Sequence, residues 1–136
     1  MNGSYKPAEI REALLKTISL LTQWSKDAGI KLVSLMNFAV SDGNVVVCSR
    51  YVNSLTAEPA SLFYSSGSRF ERIADGEYKM VKSDKREDIV VVASEPLTYE
   101  RVDWMVVPPN SMLVVSHRMN VLIYPIEDDY CRLRRK

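Results

Sequence analysis

The stretch REDIVVVASEPLTYERVDWMVVPPNSMLVV, residues Arg86–Val115, decides the fold expected for this chain. At its centre, Ile89–Ala93 form a continuous apolar run that is rich in β-branched side chains. A run that short predicts a strand buried on both faces rather than a helix. Ser94, Glu95 and Pro96 then end the strand abruptly. Because a carboxylate beside a buried strand is costly unless it is paired, this corner predicts either a tightly bonded structural turn or the edge of a site.

Before this stretch, the sequence predicts one long amphipathic helix from Ala8 to Ala28. Pro7 suits the first turn of a helix, where its missing N–H is no loss, and Gly29 supplies the left-handed residue that often ends one. Apolar residues recur between them at steps of three and four, which gives one apolar stripe. The stripe consists of Ile10, Ala13, Leu14, Thr17, Ile18, Leu21, Trp24 and Ala28. We expect it to pack on a sheet.

The rest of the chain predicts short strands joined by turns. Asp42-Gly43 is a strong hairpin signal and Asp75-Gly76 is a second hairpin candidate, while Ser65–Ser68 and Ser83–Asp88 predict turns. The predicted strands are Lys31–Val40, Asn44–Val52, Ser61–Tyr64, Phe70–Ile73, Tyr78–Val81, Ile89–Ala93, Trp104–Val107, Met112–Ser116 and Val121–Tyr124. One helix followed by short strands at hairpin spacing predicts an α+β fold with a mainly antiparallel sheet, in a single unit spanning residues 1–136.

Composition excludes several classes of function. The chain has 136 residues, 46% of them apolar and 26% charged, which is typical of one soluble globular domain. Its net charge of +1 gives no reason to expect nucleic acid or a membrane surface as partner. There is neither an apolar run of about 18 residues nor a signal peptide. Two cysteines do not indicate a disulfide framework, so we expect a cytoplasmic protein.

The sequence offers little for catalysis. His117 lies in a predicted turn with no nucleophile or orienting acid beside it. Cys48 lies in an apolar run and predicts a buried inert thiol, and Cys131 predicts an incidental exposed one. One histidine and two distant cysteines do not make a zinc site. Since a phosphate-binding loop and a dinucleotide fingerprint are also missing, we expect no metal and no cofactor.

Two groups of residues are candidates for ligand binding. The small residues Ser65, Ser66 and Gly67 form either a structural turn or a pocket wall whose backbone N–H groups bind a carboxylate. Arg50 follows a predicted buried strand and either holds a substrate acid group bidentately or pairs with a protein carboxylate such as Glu95. Ser94 and Glu95 form the polar end of the central strand. The candidate substrate-binding residues are therefore Arg50, Ser65, Ser66, Gly67, Ser94 and Glu95.

Four sequence blocks resemble a known family. They are SLMNFAVSD (Ser34–Asp42), SRYVN (Ser49–Asn53), ASLFYSSG (Ala60–Gly67) and Ile89–Trp104, which contains SEPLT and ends in DW, with Pro108–Asn110 just beyond. In this order and spacing they resemble the class II glutamine amidotransferases of the N-terminal nucleophile hydrolase superfamily. Within that superfamily the blocks are most similar to the branch that acts on glutathione and other γ-glutamyl compounds.

The resemblance implies a fold of two packed antiparallel sheets between helical layers. It also implies a glutaminase chemistry in which an N-terminal cysteine attacks the γ-carboxamide and its own α-amine serves as general base. The blocks match the second half of such a domain only, and Met1 and Asn2 stand where that cysteine would be. We therefore expect the C-terminal half of an amidotransferase-like domain, with no catalytic residue of its own and no activity alone.

An isolated half of this fold has unpaired strand edges, which promote association. The expected partners are the missing N-terminal half, a metallopeptidase-like partner subunit or a second copy of the chain, with glutamine or a γ-glutamyl small molecule as ligand. The alternative function is a non-catalytic binding or assembly protein that keeps the amidotransferase fold.

Overall fold

The computed structural model describes residues 5–83 and 86–131, so predictions that rest on Met1–Ser4, on positions 84 and 85 or on Arg132–Lys136 lie outside it. One helix and nine strands make up this part of the chain, with a 3-10 turn at Arg101–Asp103. The elements are α1 (Pro7–Asp27), β1 (Ala39–Ser41), β2 (Val46–Arg50), β3 (Phe63–Gly67), β4 (Arg69–Ala74), β5 (Glu77–Val81), β6 (Ile89–Ala93), β7 (Met105–Val106), β8 (Ser111–Val115) and β9 (Val121–Pro125). The predicted α+β class with mainly antiparallel pairing is confirmed.

Helix α1 begins and ends where its sequence signals place it. Pro7 occupies the first turn, and the Lys6 backbone N–H donates to Glu9 Oε2 over 2.8 Å, which satisfies one group that the helix cannot. Gly29, with φ of 68°, follows the last turn. The buried side chains Ile10, Leu14, Ile18 and Thr22 recur at steps of four, so one face of the helix packs inward.

That face packs on a four-stranded antiparallel sheet with the order β1-β2-β8-β9, which we call the first sheet. Side chains alternate between the two faces of a strand, and the first sheet uses both. Val47 and Tyr51 of the β2 segment and Met112 and Val114 of β8 join Ile18 in the core under the helix.

The opposite face of the first sheet packs on a three-stranded antiparallel sheet with the order β6-β3-β7, the second sheet. Cys48, Leu113 and Val115 from the first sheet meet Leu62 and Val107 there, with Tyr64, Val90 and Val92 packed around them. The chain is therefore a three-layer stack of helix, first sheet and second sheet.

The hairpin of β4 and β5 covers part of the outer face of the second sheet. Ser68 N–H donates to Val81 O over 2.8 Å, and Met80 packs directly on Gly67, where an added Cβ would lie 2.6 Å from the Met80 sulfur. Gly67 is needed here because the hairpin approaches too closely for any larger residue.

Four predictions of local structure are wrong. The apolar stripe predicted for the helix is buried only in part, since Ala13, Thr17, Trp24 and Ala28 are exposed. Of the predicted strand Lys31–Val40 only the last residues join β1, and the apolar side chains at 30, 32, 33 and 35 stay exposed because nothing in the described chain packs on them. Ser65–Gly67 belong to β3 instead of a turn. Ile89–Ala93 are half-buried at the edge of the second sheet rather than buried on both faces. In the described residues, no helix combines the length and apolarity that a membrane span requires.

Candidate functional site

The guanidinium of Arg50 joins strand ends of the first and second sheets. Arg50 stands at the end of β2, and its side chain donates to three main-chain oxygens: Nη1 to Val107 O over 2.7 Å, Nε to Ala60 O over 2.9 Å and Nη2 to Pro59 O over 3.5 Å. These bonds tie the end of β2 to the segment that leads into β3 and to the residue that follows β7. They fix the position of the guanidinium, whose positive charge is permanent.

Glu95 reaches the same segment from the second sheet. Its Oε1 accepts a hydrogen bond of 2.6 Å from Ser61 Oγ, directly after the residue that Arg50 Nε contacts. Ser94 lines the adjacent cleft and, like Glu95, is exposed. The structure thus brings Arg50, Ser94 and Glu95 to one end of the molecule, at the ends of β2 and β6, where the sequence placed them.

Asn37 is a further polar side chain at this end, and the sequence reasoning missed it. Its Nδ2 donates to Ala60 O over 3.0 Å and to Ser61 O over 3.2 Å, and its Oδ1 accepts the Tyr51 N–H over 3.2 Å. The only signal in the sequence was one asparagine inside the apolar run LMNFAV. Because its partners lie up to 24 positions away in the chain, no local pattern predicts them.

The cleft itself is an apolar cavity of about 420 Å³ between the first and second sheets. Its size lies in the range of small-molecule sites. Its polar lining residues are Asn37 and Ser94, and its apolar lining residues are Phe38, Ala39, Val46, Cys48, Leu62, Val90, Val92, Ala93 and Val115. The cleft therefore provides an apolar floor beside a polar rim.

Cys48 in the cleft wall is not an active nucleophile. The side chain is buried, and burial raises the pKa of its thiol to about 11. The thiolate is the reactive form of cysteine, so this side chain stays protonated near neutral pH. The prediction of a buried inert thiol agrees with this geometry, whereas Cys131, expected at the surface, is buried as well.

The structure does not bring Ser65, Ser66 and Gly67 to the Arg50 end. In the ladder with β6, Ala93 pairs with the first residue of β3 while Gly67 pairs with Ile89. Gly67 lies four residues along the strand from Phe63, and at about 3.3 Å per residue this places it roughly 13 Å from the Phe63–Ala93 pair. Ser65 is fully buried, and its Oγ has no hydrogen-bond partner within the described chain. A role of this triplet in ligand binding stays a prediction, but not as part of one cluster with Arg50.

Asp128, near the end of the described chain, accepts two hydrogen bonds. Asp128 Oδ2 accepts a hydrogen bond of 2.7 Å from the Tyr51 hydroxyl, and its Oδ1 accepts the Tyr130 N–H over 2.9 Å. Burial, and then this bond to Asp128, raise the pKa of Tyr51 above its usual value. These contacts secure the segment after β9 against β2, so they are structural.

The fold and this site define an α+β chain in which two antiparallel sheets enclose an apolar cleft with a charged rim. No protein-family model and no solved structure matches the chain. It is similar, at 44% identity over 133 residues, to the Saccharomyces cerevisiae protein named "Probable glutamine amidotransferase DUG3". The match covers 95% of this chain and 37% of that relative. The chain is thus similar to a probable glutamine amidotransferase along nearly its whole length while spanning little more than a third of it.

Proposed function

We propose that this chain is the C-terminal half of a class II glutamine amidotransferase domain of the N-terminal nucleophile hydrolase type. The observation that carries the proposal is the 44% identity to the yeast relative over 95% of the chain. The layered helix, first sheet and second sheet support it, because two packed antiparallel sheets under a helix suit part of the sandwich that the family resemblance implies. The substrate class we propose is glutamine or a γ-glutamyl amide, with glutathione breakdown as the branch that the SEPLT block favours.

In this proposal the rim of the cleft contributes to substrate binding. A γ-glutamyl group carries one carboxylate and one ammonium group, and Arg50 and Glu95 present one charge of each sign at the same end of the cleft. Their bonds to Ala60 and Ser61 hold both side chains in place before a ligand arrives, which lowers the entropy cost of binding. Ser94, the residue before Glu95, lines the cleft.

The nucleophile, in this proposal, comes from another polypeptide segment. Cys48 is protonated and buried, and His117 is exposed in a tight turn, where Met119 N–H donates to Ser116 O over 2.9 Å. Neither is placed to attack an amide at the cleft mouth. The chain alone is therefore inactive, and the part that corresponds to the rest of the yeast relative supplies the reacting group. No cofactor is needed for this chemistry.

Partners and location follow from the same proposal. The complementary half is the first partner, and a metallopeptidase-like subunit or a second copy of the chain are the others. We place the protein in the cytoplasm, where glutamine and glutathione are abundant substrates.

A second candidate is a non-catalytic binding or assembly protein with the same fold. The contacts of Arg50 favour it, because three of its donors hold main-chain oxygens and fix the junction between the sheets. In that case Arg50 is a structural residue and substrate binding is lost.

A chimera tests the proposal. This chain replaces the matched 37% of the yeast relative, and the chimera is expressed in a yeast strain that lacks its own copy, so that any partner subunit is present. Extracts are assayed for glutamate release from glutamine and from glutathione. We expect release above the strain without the chimera and comparable to the unaltered yeast protein.

An Arg50→Lys variant of the chimera keeps the charge but not the forked donors, and it is expected to raise KM for substrate. A chimera that is expressed and folded but releases no glutamate, beside an active yeast protein, contradicts the amidotransferase proposal and favours the non-catalytic one.

A further inference from the structure

We propose that the free edge of β6 is a docking site for one further strand, supplied by the remaining amidotransferase polypeptide. The occupant is an extended segment with alternating apolar residues, from the part that corresponds to the yeast relative outside the matched 37%. The choice of this occupant rests on the proposed function. The location of the docking edge rests on the structure.

The sequence of β6 conflicts with its position in the second sheet. Ile89–Ala93 are five apolar residues without a charge or a proline, which is the composition of a strand with two neighbours and two covered faces. Among the residues that the structure describes, it has one neighbour, β3, and all five of its residues are half-buried. A strand with this composition at an edge is a ready template for pairing with another chain.

The other edges of the two sheets are better protected. Strand β1 has three residues and β7 has two, and short edges offer few unpaired backbone groups. Strand β9 has five residues but ends in Pro125, which has no N–H to donate. Of the edge strands of these two sheets in the described chain, β6 is the one with five apolar residues and no proline, so it is the edge that requires a cover.

The cleft between the first and second sheets runs along this edge. Val90, Val92 and Ala93 of β6 form one wall, and Ala39 and Val46 of the first sheet form part of the other. A strand paired with β6 would direct every second side chain into this cavity of about 420 Å³. Main-chain hydrogen bonds along β6 and apolar side chains in the cleft would then act together, as in other cases of strand addition.

The added strand would come from the part of the relative outside the match. The match covers 95% of this chain but only 37% of the relative, so most of the relative lies outside the match. A strand from that polypeptide would also reach the Ser94–Glu95 end of the cleft, since β6 ends there. Docking at this edge therefore completes both the sheet and the rim of the candidate site.

Hydrogen exchange tests the inference directly. The probe is the part of the yeast relative outside the match, produced separately and added to this full chain. We expect amide exchange in Ile89–Ala93 to slow when the probe is added, while exchange in β9 is unchanged. Because this measurement uses the unaltered chain, it does not depend on how a variant folds.

A matched pair of variants gives the second readout. Val91→Lys places a charge on the β6 edge. Leu122→Lys places a charge on β9, where the Leu122 side chain is 47% exposed. We expect Val91→Lys to weaken probe binding at least about tenfold, as an added edge charge does, and Leu122→Lys to change it less than about twofold.

Three results overturn the inference. The first is no binding of the probe, and the second is binding without slower exchange in β6. The third is slower exchange that comes from a homodimer of this chain and is lost in Val91→Lys. Failure of the proposed function looks different. Protection of β6 in an inactive chimera removes the function and keeps the docking edge, while an active chimera with unprotected β6 does the reverse.

Discussion

Replacement of Asn110 by alanine is expected to destabilise the chain by about 3–5 kcal/mol, because it leaves buried backbone groups without partners. Asn110 Oδ1 accepts the Val52 N–H over 3.0 Å, and its Nδ2 donates to Val52 O over 3.0 Å and to Tyr130 O over 3.2 Å. Val52 is fully buried, so water cannot replace these bonds. Each buried group left unsatisfied costs about 1–3 kcal/mol.

The backbone of Asn110 adds a smaller term. Its φ of 50° lies in the left-handed region, where asparagine is tolerated and alanine costs about 1–2 kcal/mol. Asn110→Gly removes the amide but not the conformational fit, so it should be less destabilising than Asn110→Ala by about 1 kcal/mol. The difference between the two variants separates backbone strain from the lost hydrogen bonds.

Urea unfolding, followed by far-ultraviolet circular dichroism, measures these effects through the midpoint and the slope. Asn110→Asp is a further matched variant, because it keeps the acceptor for Val52 N–H while placing a second oxygen against Val52 O. It should be as destabilising as alanine near neutral pH. A free energy of unfolding for Asn110→Ala within about 1 kcal/mol of the unaltered chain would refute the reasoning, since that is less than one unsatisfied group.

Further predictions concern packing and pH. Gly67→Ala places a Cβ 2.6 Å from both the Met80 sulfur and Val81 O, so it should destabilise the chain by about 1–3 kcal/mol and increase proteolysis in the β4–β5 hairpin; unchanged proteolysis would contradict that contact. Leu14→Ala in the core under α1 should cost about 2–5 kcal/mol in urea unfolding, and a shift near zero would show that the helix face is not buried. The Cys48 thiol pKa is raised from 9.0 to about 11; the folded chain therefore holds this proton more tightly, and the associated stability, complete below pH 9, is lost as pH rises towards 11. The unaltered chain should accordingly lose about 2 kcal/mol more than Cys48→Ala over that range, and parallel pH profiles would argue against burial of the thiol.

Much of the fold is predictable because its signals are local. The stripe of α1 repeats at helical spacing, and Pro7 and Gly29 mark its ends within one or two residues. The Asp42-Gly43 turn is equally local, since Asp42 Oδ1 accepts the N–H groups of Asn44 and Val45 over 2.9 and 2.8 Å. These bonds also hold the pKa of Asp42 below its usual value.

The errors occur where distant segments decide the structure. Ser65–Gly67 carry turn-forming residues, yet they extend β3 because Met80 from the next hairpin packs on Gly67 and β6 pairs alongside. The apolar run of β6 indicates a need for burial, but a sequence pattern cannot state which neighbour supplies it. The position of β6 at an edge is consequently the feature on which we base the docking inference.

The candidate site was predictable in part for the same reason. Arg50, Ser94 and Glu95 stand at the ends of apolar runs, and strand ends of packed sheets lie close together in space. Their actual contacts, at Ala60 and Ser61, depend on the path of the segment before β3. That path is set by long-range bonds, including those from Asn37, and no spacing in the sequence encodes it.

Release of glutamate from glutamine and from glutathione by the purified chain tests the central claim most directly. Release is measured first for the purified chain alone. It is then measured for the chain mixed with the part of the yeast relative outside the match, in extract of a yeast strain that lacks its own copy of that relative. The proposed division of the domain predicts no release by the chain alone and release above background in the mixture. Release by the purified chain alone, persisting in Cys48→Ala, would contradict it, because the reacting group would then lie within this chain.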